Sequence, residues 1–136
     1  MMNIYLDIDG VILGMESSSR DAKKFLKFLL KKYPDNTYWL TTHVKDGENN
    51  TKYSLSGVYP DKLVDKMYAT FKVTDWETLK TDAIDFSQPF VWFDDTLFTA
   101  EKQILEQNSV FESYYKIDPK DKDALKKALR YLKSPS

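Results

Sequence analysis

Six side chains hold most of this sequence's capacity for chemistry: Asp7 and Asp9 in "YLDIDGV", Thr41 in "YWLTT", Lys80 in "LKTDAI", and Asp94 and Asp95 closing "FVWFDD". Four carboxylates, a hydroxyl and an amine suit the handling of charge. Like charges beside an apolar run cost free energy unless a counter-charge offsets them. Mg2+ is a hard cation that takes a few carboxylates together with water and phosphate oxygens. It would turn such a cluster into a satisfied one and draw a phosphate to it. Cysteine is absent and histidine occurs once. Disulfides, thiolate catalysis and multi-histidine metal sites within one chain are therefore excluded.

The elements that must position these residues can be read around them. Ile4 to Asp9, "TYWLTT" and "PFVWFDD" read as strands, with "ESYYKID" as a fourth and "FKVTD" as a short extra one. Between them lie helical patterns. Ala22, Phe25, Leu26 and Leu29 share one face of a helix that Ser18 and Asp21 open as a capping box and that stops near Pro34. "PDKLVDKMYATF" begins at Pro60, "LFTAEKQILEQ" follows the third strand, and "WETLKTDAIDF" reads as a turn or short helix. In the last helix Asp118 is expected to cap and Pro119 to occupy the first turn, with Leu125, Ala128, Leu129 and Leu132 as the buried stripe. Strands alternating with helices predict an α/β fold with a mainly parallel sheet. Parallel strands would bring all the acids to one edge, where such sheets bind ligands. Alternation puts Asp7 and Asp9 on the same side if the strand is regular there.

With 136 residues, 42% apolar and 15% aromatic, the chain is expected to form one domain over 1–133, with an insertion at about 43–75 and a disordered tail at 134–136. A net charge of −1 gives no general case for nucleic acid or an anionic membrane. No run approaches the roughly 18 apolar residues of a membrane span, and no basic start marks a signal peptide. A cytoplasmic, soluble protein is the expectation. The lysine-rich helices read as solvated faces, and Trp39, Phe90, Trp92 and Phe93 as core rather than as base-stacking residues.

Taken singly, each motif also has a bland reading. A D-x-D after a strand can be a turn whose aspartates bind backbone amides, and paired acids before a helix can be an N-cap. A calcium loop fits poorly, because Gly10 comes too early and Ser18 stands where its glutamate belongs. Thr41 and Thr42 alone are ordinary strand residues, and Lys80 alone an ordinary surface charge. The order of the motifs, each on its own element, is far more specific than any one of them.

In that order the chain resembles the haloacid dehalogenase (HAD) superfamily. "YLDIDGV" matches its first motif, "YWLTT" its second, Lys80 its third and "FVWFDD" its fourth, from Ile4 to about Ile117. The resemblance implies a Rossmann-like three-layer sandwich and a Mg2+-dependent phosphatase working through an aspartyl-phosphate. Asp7 would be the nucleophile and a metal ligand. Asp9 would be the acid and base, with its backbone carbonyl also on the metal. Thr41, or Thr42 if the strand runs one residue further, would bind phosphate together with Lys80 and the turn at Gly10. Asp94, with Asp95 as second candidate, would complete the metal site. The Asp9 position favours phosphatase over dehalogenase. The short insertions resemble capless or minimally capped members, which often act on bulky or macromolecular substrates. The substrate is expected to be a phosphorylated small molecule or a macromolecular end. The alternatives are a nucleic-acid end-processing phosphatase and a non-catalytic phosphate- or protein-binding module that keeps the fold. A two-component receiver domain is disfavoured, since its lysine comes late whereas Asp94 and Asp95 follow Lys80. His43 reads as a local hydrogen-bonding residue, with contact to substrate as the alternative.

Overall fold

Apolar residues at nearly every position of a short run signal a strand buried on both faces, as a parallel sheet requires. The structure, a computed structural model, describes residues 2–17, 19–45 and 47–134. It contains such strands as β1 (Asn3–Leu6), β2 (Thr37–Trp39) and β5 (Phe90–Asp94), with a more exposed fourth strand, β6 (Tyr114–Lys116). Between β2 and β5 lie a small hairpin, β3 (Val44–Lys45) with β4 (Glu48–Asn49), and the helices α2 (Thr51–Leu55) and α3 (Asp61–Thr70). The other helices are α1 (Ser19–Lys32), α4 (Thr99–Gln107) and α5 (Ala124–Lys133).

The four main strands form one sheet in the order β2-β1-β5-β6, every pair parallel. Alternation along the strands divides the core. Ile4, Leu6, Trp39, Val91 and Phe93 meet α1, α3 and α5 through Phe25, Leu29, Met67 and Leu125. Tyr5, Leu40, Phe90 and Trp92 turn to the opposite face, where Leu105 of α4 packs with Trp76 and Ile84. The result is a sheet between two helical layers, as the alternation of elements predicts. Each fully buried large side chain contributes about 1.5–3 kcal/mol. Trp39, Phe90, Trp92 and Phe93 are all buried, so these four strand aromatics are core as expected. Among the described residues no helix is long and apolar enough to cross a membrane.

Several sequence expectations need adjustment. The last helix starts at Ala124, not near Asp118. Asp118 instead accepts the Lys120 N–H at 3.0 Å, and Asp121 accepts the Asp123 N–H at 2.9 Å, so these aspartates make local turns that compete with helix. The buried stripe is otherwise as expected, with Leu129 only partly buried beside Leu125, Ala128 and Leu132. "FKVTD" is no strand: Lys72 alone bridges β2, accepting from Trp39 N–H at 2.8 Å and donating to the Thr37 carbonyl at 2.9 Å. The insertion at 43–75 includes the helix expected from Pro60, and α2 adds a helix ahead of it that the sequence does not suggest. The insertion also holds the hairpin, and the Tyr59 hydroxyl ties it to the Ile12 carbonyl. The proposed cap residue Ser18 lies outside the described residues, as do the last two of the 134–136 tail.

Candidate functional site

The register sets the geometry. Leu6 of β1 pairs with Phe93 of β5, so Asp7 and Asp94 leave adjacent strands at the same level. Both are buried, at 5% and 1% exposure. Lys80 begins a 3₁₀ turn, Lys80–Ala83, and reaches in from the side. Its Nζ lies 3.2 Å from Asp7 Oδ2 and 2.7 Å from Asp94 Oδ2. Asp7 Oδ1 accepts the Ile8 N–H at 2.8 Å, and Asp94 Oδ1 accepts the Thr96 N–H at 3.1 Å. One cation thus faces two buried carboxylates, and Asp95 stands beside them. Burial, and then the Asp7 charge, push the Asp94 carboxyl up to about 8 despite Lys80. Burial pulls the Lys80 ammonium down, but the two carboxylates outweigh it and hold its pKa above the ordinary value.

Asp7, Asp94 and Asp95 can each offer an oxygen, all within 4.8 Å of one another. Asp95 gets its place from Gly10. That residue sits at φ +77°, and a Cβ there would lie 2.2 Å from Asp95 Oδ2. Only glycine leaves the carboxylate that room. The Gly10 N–H donates to the Leu13 carbonyl at 2.7 Å, so the glycine's contribution is space rather than a free donor.

Asp7 and Asp9 do not share a setting, against the alternation argument. The regular strand ends at Leu6, and the Ile8 carbonyl accepts the N–H groups of Val11, Ile12 and Leu13. The chain therefore turns, and the Asp9 carboxylate comes out 63% exposed, 3.0 Å from His43 Nε2. Its side chain is not part of the three-carboxylate group. Of the two threonines, Thr41 is fully buried and its Oγ1 accepts the His43 N–H at 3.3 Å. Thr42 is exposed and lines a cleft of about 130 Å3 with Trp76, Thr78, Lys80, Thr96 and Phe98.

Three contributors carry little sequence signal. Glu101, 1% exposed, accepts the Lys80 N–H at 3.0 Å and the Phe98 N–H at 3.1 Å, which fixes the lysine to the start of α4. An acid three residues inside a helix is a known capping pattern, but its reach to Lys80 is visible only in the fold. The Tyr114 hydroxyl donates to the Asp94 carbonyl at 3.2 Å, and burial raises its own pKa. Ser54 Oγ lies 2.7 Å from His43 Nδ1. In comparisons with family models, curated proteins and solved structures, none matches this chain.

Proposed function

We propose that this chain is a Mg2+-dependent phosphohydrolase of the HAD type that works through an aspartyl-phosphate on Asp7. The observation that carries the reading is the placement of Lys80 Nζ between Asp7 and Asp94, at 3.2 and 2.7 Å, with Asp95 alongside. A buried cation set between two carboxylates of a cluster at the carboxyl edge of a parallel sheet is more than packing requires. Buried ion pairs seldom repay their desolvation in stability alone. The motif resemblance on "YLDIDGV" and "FVWFDD" supports the same assignment.

The donor set fits a hard cation, since Asp7, Asp94 and Asp95 offer only oxygens. Those residues would hold Mg2+, which when bound supplies charge neutralisation for an incoming phosphate. A carboxylate oxygen of Asp7 attacks phosphorus, and the bond to the leaving oxygen breaks. Asp9 donates the proton that the leaving oxygen takes up. Water then attacks the aspartyl-phosphate and gives its proton to Asp9, which restores both acids. Lys80 offsets charge on the nucleophile and the phosphoryl group. Thr42, on the cleft beside Lys80, is better exposed to meet a phosphoryl oxygen than the buried Thr41, which would act through His43's backbone. Phosphoryl transfer asks mainly for positioning and charge stabilisation, which these parts supply.

The test is phosphate release from an aryl phosphate, a metabolite panel and phosphorylated nucleic-acid ends, with Mg2+ or EDTA, for wild type and Asp7→Asn. Activity that needs both the metal and Asp7 supports the mechanism. Activity that survives both EDTA and the substitution would sink it, and silence across the panel favours the binding-module alternative.

A further inference from the structure

We infer that His43, braced by Ser54, is a positioning residue that aims the Asp9 carboxylate at the leaving group. This rests on the phosphohydrolase reading. Asp9 is the most exposed acid of the site. At 63% exposure its side chain is free to change rotamer, and a general acid must be held close to one geometry. Among the described residues its carboxylate meets one side-chain partner, His43 Nε2, at 3.0 Å.

His43 is itself held from several sides. Its N–H donates to Thr41 Oγ1 at 3.3 Å, and its carbonyl accepts the Asn50 N–H at 2.9 Å, which closes the hairpin. On the ring, Nδ1 meets Ser54 Oγ at 2.7 Å, and Ser54 also lies 3.0 Å from the Asn50 carbonyl. Asp9 Oδ2 accepts from Nε2 both when the carboxylate is ionised and when the acid carries its proton on Oδ1 for the leaving group, so Nε2 carries the hydrogen. A neutral ring then accepts at Nδ1 from the Ser54 hydroxyl. A cationic ring donates at Nδ1, and Ser54 donates to Asn50 instead. Both arrangements present N–H to Asp9. This also gives the 43–59 segment a task. The hairpin and α2 carry Ser54 to His43, and the Tyr59 hydroxyl pins the segment's end to the Ile12 carbonyl in the loop that follows Asp9.

The experiment compares wild type, His43→Ala and His43→Gln on two esters with Mg2+. One is an alkyl phosphate, whose leaving alkoxide needs a proton. The other is an activated aryl phosphate, whose phenolate does not. For His43→Ala, first-turnover release of the alcohol should slow about 10- to 100-fold with KM little changed, while release of the phenol slows less than about 3-fold. Gln places an amide N–H where Nε2 was and should recover most of the loss. Equal losses on both esters, a pure KM effect, or no rescue by Gln would overturn the inference. A second readout needs no turnover. The chain has a single histidine, so its ring nitrogens give unambiguous NMR signals. Wild type should show hydrogen on Nε2, and Asp9→Ala should shift that signal. An unchanged ring in Asp9→Ala overturns the contact whatever the activity. A wild type inactive on every ester removes the hydrolase reading and this inference with it, whereas an active enzyme indifferent to His43→Ala removes the inference alone.

Discussion

Replacing Lys80 by Met keeps the aliphatic stem and deletes the cation that lies 3.2 Å from Asp7 and 2.7 Å from Asp94. Stripping one partner from a buried pair costs about 3–5 kcal/mol, because the remaining charge is left uncompensated. That cost has a ceiling, since the unpaired carboxylate can take up a proton instead. Relative to a carboxyl that titrates near 3.9 in the unfolded chain, holding a proton at pH 7 costs about 1.36 × 3.1, or roughly 4 kcal/mol. At pH 5 the same route costs only about 1.5 kcal/mol. The expected destabilisation is thus about 3–4 kcal/mol at pH 7 and no more than about 1.5 kcal/mol at pH 5. For a 136-residue chain, 1 kcal/mol moves the Tm by about 3–4 °C, so the variant should melt about 10–15 °C lower at pH 7 and within about 5 °C of wild type at pH 5. Thermal unfolding followed by circular dichroism in EDTA reads both values. A loss below about 1 kcal/mol at pH 7, or an equal loss at the two pH values, would refute the claim that Lys80 compensates a buried carboxylate charge.

Three further outcomes follow from the same geometry. Gly10→Ala puts a Cβ against Asp95 Oδ2 and forces an L-residue to φ +77°. It should cost about 1–2 kcal/mol in urea unfolding from the backbone alone, and it should weaken Mg2+ binding in calorimetry because Asp95 must move. Glu101→Ala removes the acceptor of two N–H groups and should cost about 2–4 kcal/mol in the same unfolding assay, with Glu101→Gln losing less. The third concerns pH. Because the folded protein holds the Asp94 carboxyl above its unfolded value, it binds more protons than the unfolded chain between about pH 4 and pH 8, and this contribution to stability is lost as pH rises through that window. Asp94→Asn should therefore remove a downward slope in Tm between these pH values in EDTA, and matching wild-type and mutant slopes would count against it.

Much of this site was legible in the sequence because it sits where apolar runs end. "YLDID" and "FVWFDD" show their strands through composition and their acids through position, and parallel pairing does the rest. The pairing of Lys80 with both strands was not legible from the lysine itself, since it depends on a 3₁₀ turn fixed by Glu101, 21 residues further on. The separation of Asp7 from Asp9 was hidden for another reason. Period-2 alternation holds only while the strand lasts, and the Ile8 carbonyl ends it by gathering three N–H groups. The start of α5 was misplaced because Asp118 can serve a cap or a turn equally well by type, and the turn wins. Ser54 left no trace, since a serine inside a polar segment looks like any other.

The way β2 ends the sheet bears on how this chain meets copies of itself. An outer strand normally exposes a row of N–H and C=O groups on which a foreign strand can build. Here Lys72 occupies the outward-facing Trp39 N–H and Thr37 carbonyl, so one residue spends the template that a three-residue strand would offer. The opposite border is β6, also three residues long, and it ends in the charged Lys116. A fold this rich in buried aromatic surface leaves intermolecular strand addition little to grip at either border.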